Sequence, residues 1–261
     1  MKEMLQRILV AIIIAIISIP FLVIGGLFFD IFIIIALLPV AFEVVTIKKF
    51  KHKRGPAFLV YFMMLTLCFC DPKNISYYIG LGYVVAFIFP LLDFDYKAND
   101  LLAIMSLIII ISLGVNGIRN LRIFSLSLTI LVIVATYASD SCAYFGGYYF
   151  GKHKLVPAIS PKKTVEGAIG GWIGGFVFLL ISRFIFFADL NSIFSIILAI
   201  SLPLVAQIGD LAFSAIKRNY DLKDFGKIFP GHGGILDRID SLIFTFMFVN
   251  FLINIVGMVL L

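Results

Sequence analysis

Charge is what this sequence has least of. Asp, Glu, Lys and Arg make up 14% of its 261 residues, against about 25% in globular proteins. Hydrophobic residues make up 62%, and the mean hydropathy is +1.11. A soluble domain of this length has no interior large enough for so much apolar surface, so the composition excludes one and reads as an integral membrane protein. Alternation of period two is missing, which excludes a membrane barrel. Cysteine is scarce: Cys68, Cys70 and Cys142 all lie in apolar stretches. Three cysteines give no disulfide framework. Cys68 and Cys70 have no matching second pair for zinc, so helix packing is the expectation for all three. Repeats, low-complexity stretches and extramembrane domains are also missing. The net charge is +6, but the basic residues sit in short loops between apolar runs. That pattern suits cytoplasmic loops and anionic lipid headgroups, and excludes nucleic acid as a partner.

What is present is a succession of apolar runs containing 28 phenylalanines. The fold class is all-α, a polytopic membrane helical bundle of about nine spans, each near the roughly 20 residues needed to cross hydrocarbon. The spans are drawn at 8–25, 27–47, 56–71, 75–92, 99–115, 122–149, 166–187, 192–216 and 240–260. The first lacks a small-residue cleavage site and runs into the second, so it reads as a membrane helix rather than a signal peptide. Three loops are basic: Lys48, Lys49, Lys51, Lys53 and Arg54; Lys152, Lys154, Lys162 and Lys163; Lys217, Arg218, Lys223, Lys227 and Arg238. Nine spans put all three on one side, which the positive-inside rule makes the cytoplasm, together with the N-terminus. The acidic loop 93–100 and the pair Arg119 and Arg122 run against this bias.

Residues 1–135 have almost no ionisable group inside a span and read as an N-terminal hydrophobic bundle. Residues 136–261 read as a catalytic region, because ionisable groups at membrane depth usually line a cavity or bind something. Gln207, Asp210, Ser214 and Lys217 share one helix face through spacings of three, four and three. The run 214–240 holds five basic residues, four aspartates and four glycines. Within it, the turn around His232, Gly233 and Gly234 precedes Asp237, Arg238 and Asp240. Backbone N–H groups there, with no Cβ atoms in the way, can approach phosphate oxygens. The carboxylates Asp237 and Asp240, three apart, suit magnesium. They equally suit a helix N-terminus. Asp140, on a face with Tyr144, Gly147 and Gly151, is a third candidate carboxylate. Lys162, Lys163 and Thr164 offer cations and a hydroxyl just before the seventh span. They suit an anionic ligand, and also an ordinary topology determinant.

These residues resemble a known family. Ser214, Ile216, Lys217 and Arg218, then Lys223, Asp224 and Gly226, then Phe229, Pro230, His232, Gly233, Gly234, Ile235, Asp237, Arg238, Ile239 and Asp240 are similar to the C-terminal signature of phosphatidate cytidylyltransferases (CDP-diacylglycerol synthases). The segments 160–167 and 140–147 are also similar to that family. The resemblance covers roughly 136–241. It implies a multi-pass enzyme of the inner (cytoplasmic) membrane, its site facing the cytoplasm, that transfers the cytidylyl group of CTP to phosphatidic acid and requires magnesium. It makes Asp210 and Asp237 the expected metal ligands, with Asp140 or Asp240 as an addition and a second cation left open. Lys217, Arg218 and Lys223 become candidate phosphate binders, joined by Lys162, Lys163, Thr164, Ser214, His232, Gly233, Gly234 and Arg238. The expected partners are CTP, phosphatidic acid and the bilayer, with a homodimer left open. The rival readings are another CTP-using lipid enzyme, such as a CDP-archaeol synthase or a polyprenol kinase, and an organic-anion transporter. A transporter is expected to show repeated halves with interrupted spans in corresponding positions; here the polar residues crowd into one half.

Overall fold

The computed structural model describes residues 2–47, 54–87, 97–186, 192–229 and 233–260. Among them run nine helices: α1 Lys2–Ile24, α2 Gly26–Val45, α3 Arg54–Phe69, α4 Ile75–Ala86, α5 Ala98–Phe124, α6 Leu126–Phe150, α7 Val165–Phe186, α8 Ser192–Asn219 and α9 Leu236–Leu260. A 3-10 turn, Pro72–Asn74, precedes α4. Six of these helices, α2 and α5 to α9, are long and apolar enough to cross a membrane; the apolar stretches of α1, α3 and α4 are shorter. The predicted end of the fourth span lies largely outside the described residues. Large apolar side chains point outward along the helices, including Ile16, Leu27 and Phe184 at 66 to 74% exposure. Water would penalise such faces and lipid does not.

The helix ends follow from local chemistry. Gly25 and Gly26 have φ of 70° and 56°, which lets α1 turn into α2 within a residue, since only glycine takes that conformation without cost. The fifth span runs on beyond its expected end at 115 and keeps Arg119 and Arg122 inside α5. Ser125 ends the run: it is extended, and its hydroxyl accepts from Leu128 N at 3.2 Å as the N-cap of α6. The signal was one serine among apolar residues, easily passed over.

The chain forms two compact units. One comprises Met1–Asn116 with Asn219–Ile239, the other Gly117–Arg218 with Asp240–Leu261. This division differs from the sequence boundary at 135. The reason is that segment 219–239 packs with the N-terminal helices, as its contacts with α2 and α5 show below. In the first unit Val40, Val44, Met64, Met105 and Ile108 are buried. Cys68 is buried and its thiol faces Ser112 O at 3.8 Å, while Asn116 Nδ2 donates to Cys68 O at 3.2 Å. The expectation of a packing cysteine holds there.

The second unit has its core in Leu131, Val132, Leu179, Leu198, Leu202 and Val249. A hairpin unmarked in the sequence joins α6 to α7. Its strands, β1 Lys154–Val156 and β2 Ser160–Thr164, pair antiparallel with Lys154 opposite Thr164 and Val156 opposite Ser160. Pro157 sits second in the connecting turn, closed by Ile159 N to Val156 O at 3.1 Å, a position that proline favours. Below the hairpin α6 and α7 meet backbone to backbone. A Cβ on Gly167 would lie 2.8 Å from Ala143 O and 3.1 Å from Gly147 Cα. Small residues permit such approach, and it replaces a missing hydrophobic drive between helices in lipid.

Gly167→Val therefore forces α7 off α6. The expected cost is about 1–3 kcal/mol, the usual range for overpacking. It is read as a lower thermal midpoint of the detergent-solubilised protein; an unchanged midpoint would show that this contact is not made.

Candidate active site

In the second unit, three carboxylates from three helices come together. Asp140 stands in α6, Asp210 in α8 and Asp240 at the start of α9. Their charges interact mutually, and the Asp140 carboxylate also hydrogen-bonds the Ser241 side chain. Asp240 Oδ1 accepts from Ser241 N at 2.9 Å. Two cations balance the group. Lys163 Nζ lies 2.5 Å from Asp210 Oδ2, with both side chains about a third exposed. Lys217, itself buried, acts on Asp240. Ser214 Oγ donates to Asp210 Oδ1 at 3.4 Å. Lys217 and Ser214 reach this group because the 3.6-residue period stacks them on the Asp210 face of α8, as the spacing predicts.

The hairpin delivers Lys163. Along β2, Pro161 and Lys162 are exposed, whereas Lys163 is half-buried and Thr164 buried. Glu166 anchors the hairpin base, accepting from Lys152 N at 3.1 Å and facing His153 Nδ1 at 2.6 Å. Arg218 Nε donates to Ile159 O at 3.1 Å, tying the end of α8 to the hairpin turn. Thr164 is buried, and its hydroxyl accepts from Gly167 N at 3.1 Å, a cap on the first turn of α7. Gln207 Nε2 donates to Ala168 O at 3.0 Å.

In the first unit the 219–239 segment is built around a residue that sequence reasoning passed over. Glu43, 2% exposed, stands near the end of α2. Its Oε1 accepts from Ile235 N at 2.8 Å and its Oε2 from Leu236 N at 2.9 Å. Asp237 Oδ2 accepts from Phe225 N and Gly234 N, each at 2.9 Å. Thr46 Oγ1 donates to Phe225 O at 2.8 Å. The backbone N–H groups expected to meet phosphate thus include three, those of Gly234, Ile235 and Leu236, held by the protein's own carboxylates. Gly233 takes φ +83° and pairs with Phe229 through Phe229 N to Gly233 O at 3.0 Å. Lys223 and Arg238 are exposed. His232 lies outside the described residues. The signal for Glu43 was available: an acidic residue, with Asp30 one of only two, near the end of a 20-residue apolar helix.

The group Asp140, Asp210 and Asp240 offers hard oxygens, which suit magnesium. Among the described residues no three His, Cys, Asp or Glu side chains form a ready-made metal cage. Magnesium commonly takes only one or two carboxylates and completes its shell with water and substrate phosphates, so the donor set fits that use.

Comparison with known proteins bears on what such a site does. The model of the cytidylyltransferase family matches residues 5–256. The chain belongs to the cytidylyltransferase family. A phosphatidate cytidylyltransferase of Bacillus subtilis (strain 168) is 34% identical over 268 residues, spanning 97% of this chain and 98% of that protein. Proteins of the same description from Staphylococcus haemolyticus and Staphylococcus saprophyticus are 30% and 31% identical, each spanning 95% of this chain and 98% of the relative. Family similarity therefore extends over the N-terminal helices, well beyond the 136–241 region that carries the motifs.

The capping role of Thr164 is separable from any role in binding. Thr164→Ser should keep both stability and activity. Thr164→Val should cost about 1 kcal/mol through loss of the cap, read as a lower unfolding midpoint; a drop in activity with an unmoved midpoint would assign the hydroxyl to substrate instead.

Proposed function

We propose that this cytidylyltransferase transfers the cytidylyl group of CTP to phosphatidic acid, releasing pyrophosphate and forming CDP-diacylglycerol. Family membership carries the reading. The carboxylate and lysine group supplies chemistry suited to it. Phosphatidate already presents an anionic phosphate oxygen at neutral pH. That oxygen attacks the α-phosphorus of CTP, and the bond from the α-phosphorus to the α,β-bridging oxygen breaks, its electron pair leaving with pyrophosphate. No side-chain nucleophile or strong base is needed. The difficulty is bringing two polyanions into line, and cations plus positioning address it. Lys163 and Lys217 stand beside the carboxylates. Lys163 is mobile in charge terms: a phosphate oxygen can replace Asp210 as its partner. Arg218 and the exposed Lys162, Lys223 and Arg238 are further candidates for phosphate contact, with Ser214 placed to hold Asp210 in orientation. Magnesium would be held by Asp210 with Asp140 or Asp240, and Asp237 remains the candidate ligand on the 219–239 segment. When bound it would offset phosphate charge and stabilise the leaving pyrophosphate.

The proposed orientation places the basic loops and the site on the cytoplasmic side of the inner membrane. Contacts within each unit support the sidedness of the helix ends. Glu43 brings the end of α2 to the start of α9. Tyr220 OH donates to Asn99 O at 3.5 Å, so the first turn of α5 joins that same end. Burial and the adjacent Asp100 carboxylate raise the Tyr220 phenol above its usual value. Within the second unit, Arg183 Nη2 donates to Ser192 Oγ at 2.7 Å, joining the end of α7 to the start of α8, and Asn120 Nδ2 donates to Asn250 Oδ1 at 3.4 Å, tying α5 to α9.

Purified protein given CTP labelled at the α-phosphorus and phosphatidic acid should move label into a chloroform-soluble product, and EDTA should stop it. Label arriving from the γ-position instead would make the protein a kinase. Asp210→Asn and Asp237→Asn should each lose activity by about a hundredfold or more, the scale of losing a central electrostatic group, while still inserting and purifying normally. Near-normal turnover of either at saturating magnesium would remove that residue from the site.

Single cysteines placed at Lys162 and at Lys223, in a background without the three native cysteines, test the orientation. Both should resist an impermeant thiol reagent in intact cells and react in inverted vesicles. Labelling from outside would reverse the topology and the route of CTP.

A further inference from the structure

The turn at Gly233 and Gly234 reads, in sequence, as a gap through which phosphate approaches backbone. The structure fills the space at Gly234, and that at Gly226 upstream, from inside. A Cβ built on Gly226 would find three atoms of Glu43 as its nearest neighbours, Oε1 at 2.5 Å, Cδ at 2.8 Å and Cγ at 2.9 Å. At Gly234 the three nearest atoms again all belong to the Glu43 carboxyl group. Neither glycine has the left-handed φ that Gly233 has, so the backbone itself would accept alanine at both. The closest obstacle in each case is Glu43.

Glu43 also consumes the donors beside those gaps. The first N–H groups of a helix have no partner within it, and here Ile235 and Leu236 give theirs to the two Glu43 oxygens. A carboxylate this deeply buried in an apolar bundle persists only with such partners. Three residues on, Thr46 takes hold of Phe225 O, and Phe225 N goes to Asp237. The end of α2 therefore grips both sides of the loop that carries Lys223 and Asp224 and leads into Asp237.

We infer that Glu43 is a positioning residue for the cytidylyl transfer: its carboxylate occupies the gaps left by Gly226 and Gly234 and holds Phe225–Gly226 and Gly234–Asp237 in their working places. This rests on the proposed role of the 219–239 segment, and of Asp237 within it, in the reaction. Glu43 is 2% exposed and both its oxygens are taken by backbone N–H groups, so its loss should appear in kcat rather than in the KM for CTP.

The test is a double-mutant cycle in the full-length protein, reading kcat, KM for CTP and thermal midpoint. Gly234→Ala alone should lower kcat by about tenfold or more. Added to Glu43→Ala, it should change kcat by less than about twofold, since the atom it would strike is gone; contacting residues couple in this way and independent ones do not. Gly226→Ala should behave alike. KM for CTP should stay within about twofold throughout. If the glycines instead admit phosphate, Gly234→Ala will raise that KM equally with and without Glu43, and the inference falls. It falls also if Glu43→Ala lowers the midpoint but leaves kcat untouched, which would make Glu43 a cap and nothing more. Should Glu43→Ala fail to insert, Glu43→Asp takes its place: the shorter acid should restore activity to Gly234→Ala, and failure to restore it counts against the inference. An active Asp237→Asn would sink the role of the segment itself, whereas an inactive Asp237→Asn with no coupling sinks only the role of Glu43.

Discussion

A carboxylate withdrawn from water must find partners, and this chain places several of its carboxylates inside helices otherwise made of Ile, Leu, Val and Phe. Desolvation of an unpaired charge costs several kcal/mol or more. Each of these acids is accordingly met by something specific. Glu43 is met by two backbone N–H groups, Asp237 by two others, Asp210 by Lys163, and Asp240 by the Ser241 N–H and the charge of Lys217. The partners are not interchangeable. Backbone donors are permanent and hold a segment in shape. A lysine can exchange its carboxylate for a phosphate when substrate arrives. The same constraint therefore produces a rigid cradle in one unit and an exchangeable ion group in the other.

Close helix packing is the second requirement. Asp140 can face α8 and α9 residues because α6 and α7 approach without side chains between them at Gly147 and Gly167. The hairpin after α6 then acts as an arm. Its base is fastened through Glu166 and its turn through Arg218, and from this arm Lys163 reaches Asp210 while Lys162 stays exposed.

Sequence was most legible where its physics is local. The apolar runs gave nine spans, and the structure has nine helices among the described residues. The Asp210, Ser214 and Lys217 face followed from helical period alone. The break between the first two spans, drawn at 25–27, falls at Gly25 and Gly26, whose positive φ few other residues take. Less legible were features whose signal is one residue wide, such as the Ser125 cap that moved the end of α5, or the three-residue strand β1. Glu43 was missed for a related reason. Its partners are backbone atoms 192 and 193 residues away, and nothing in a backbone N–H is written in the sequence of the side chain that binds it.

By itself, then, the sequence determined that this is a helical membrane protein, where its spans lie and which polar residues are available for chemistry, because hydropathy, helical period and turn preference act between near neighbours. Only the tertiary structure decided how those residues are used. It grouped Asp140, Asp210 and Asp240, set Lys163 against them, and gave the N–H groups of Gly234, Ile235 and Leu236 to the protein's own acids. Those outcomes depend on which buried donor and acceptor come within hydrogen-bonding distance, and that is settled by packing across the bundle rather than along the chain.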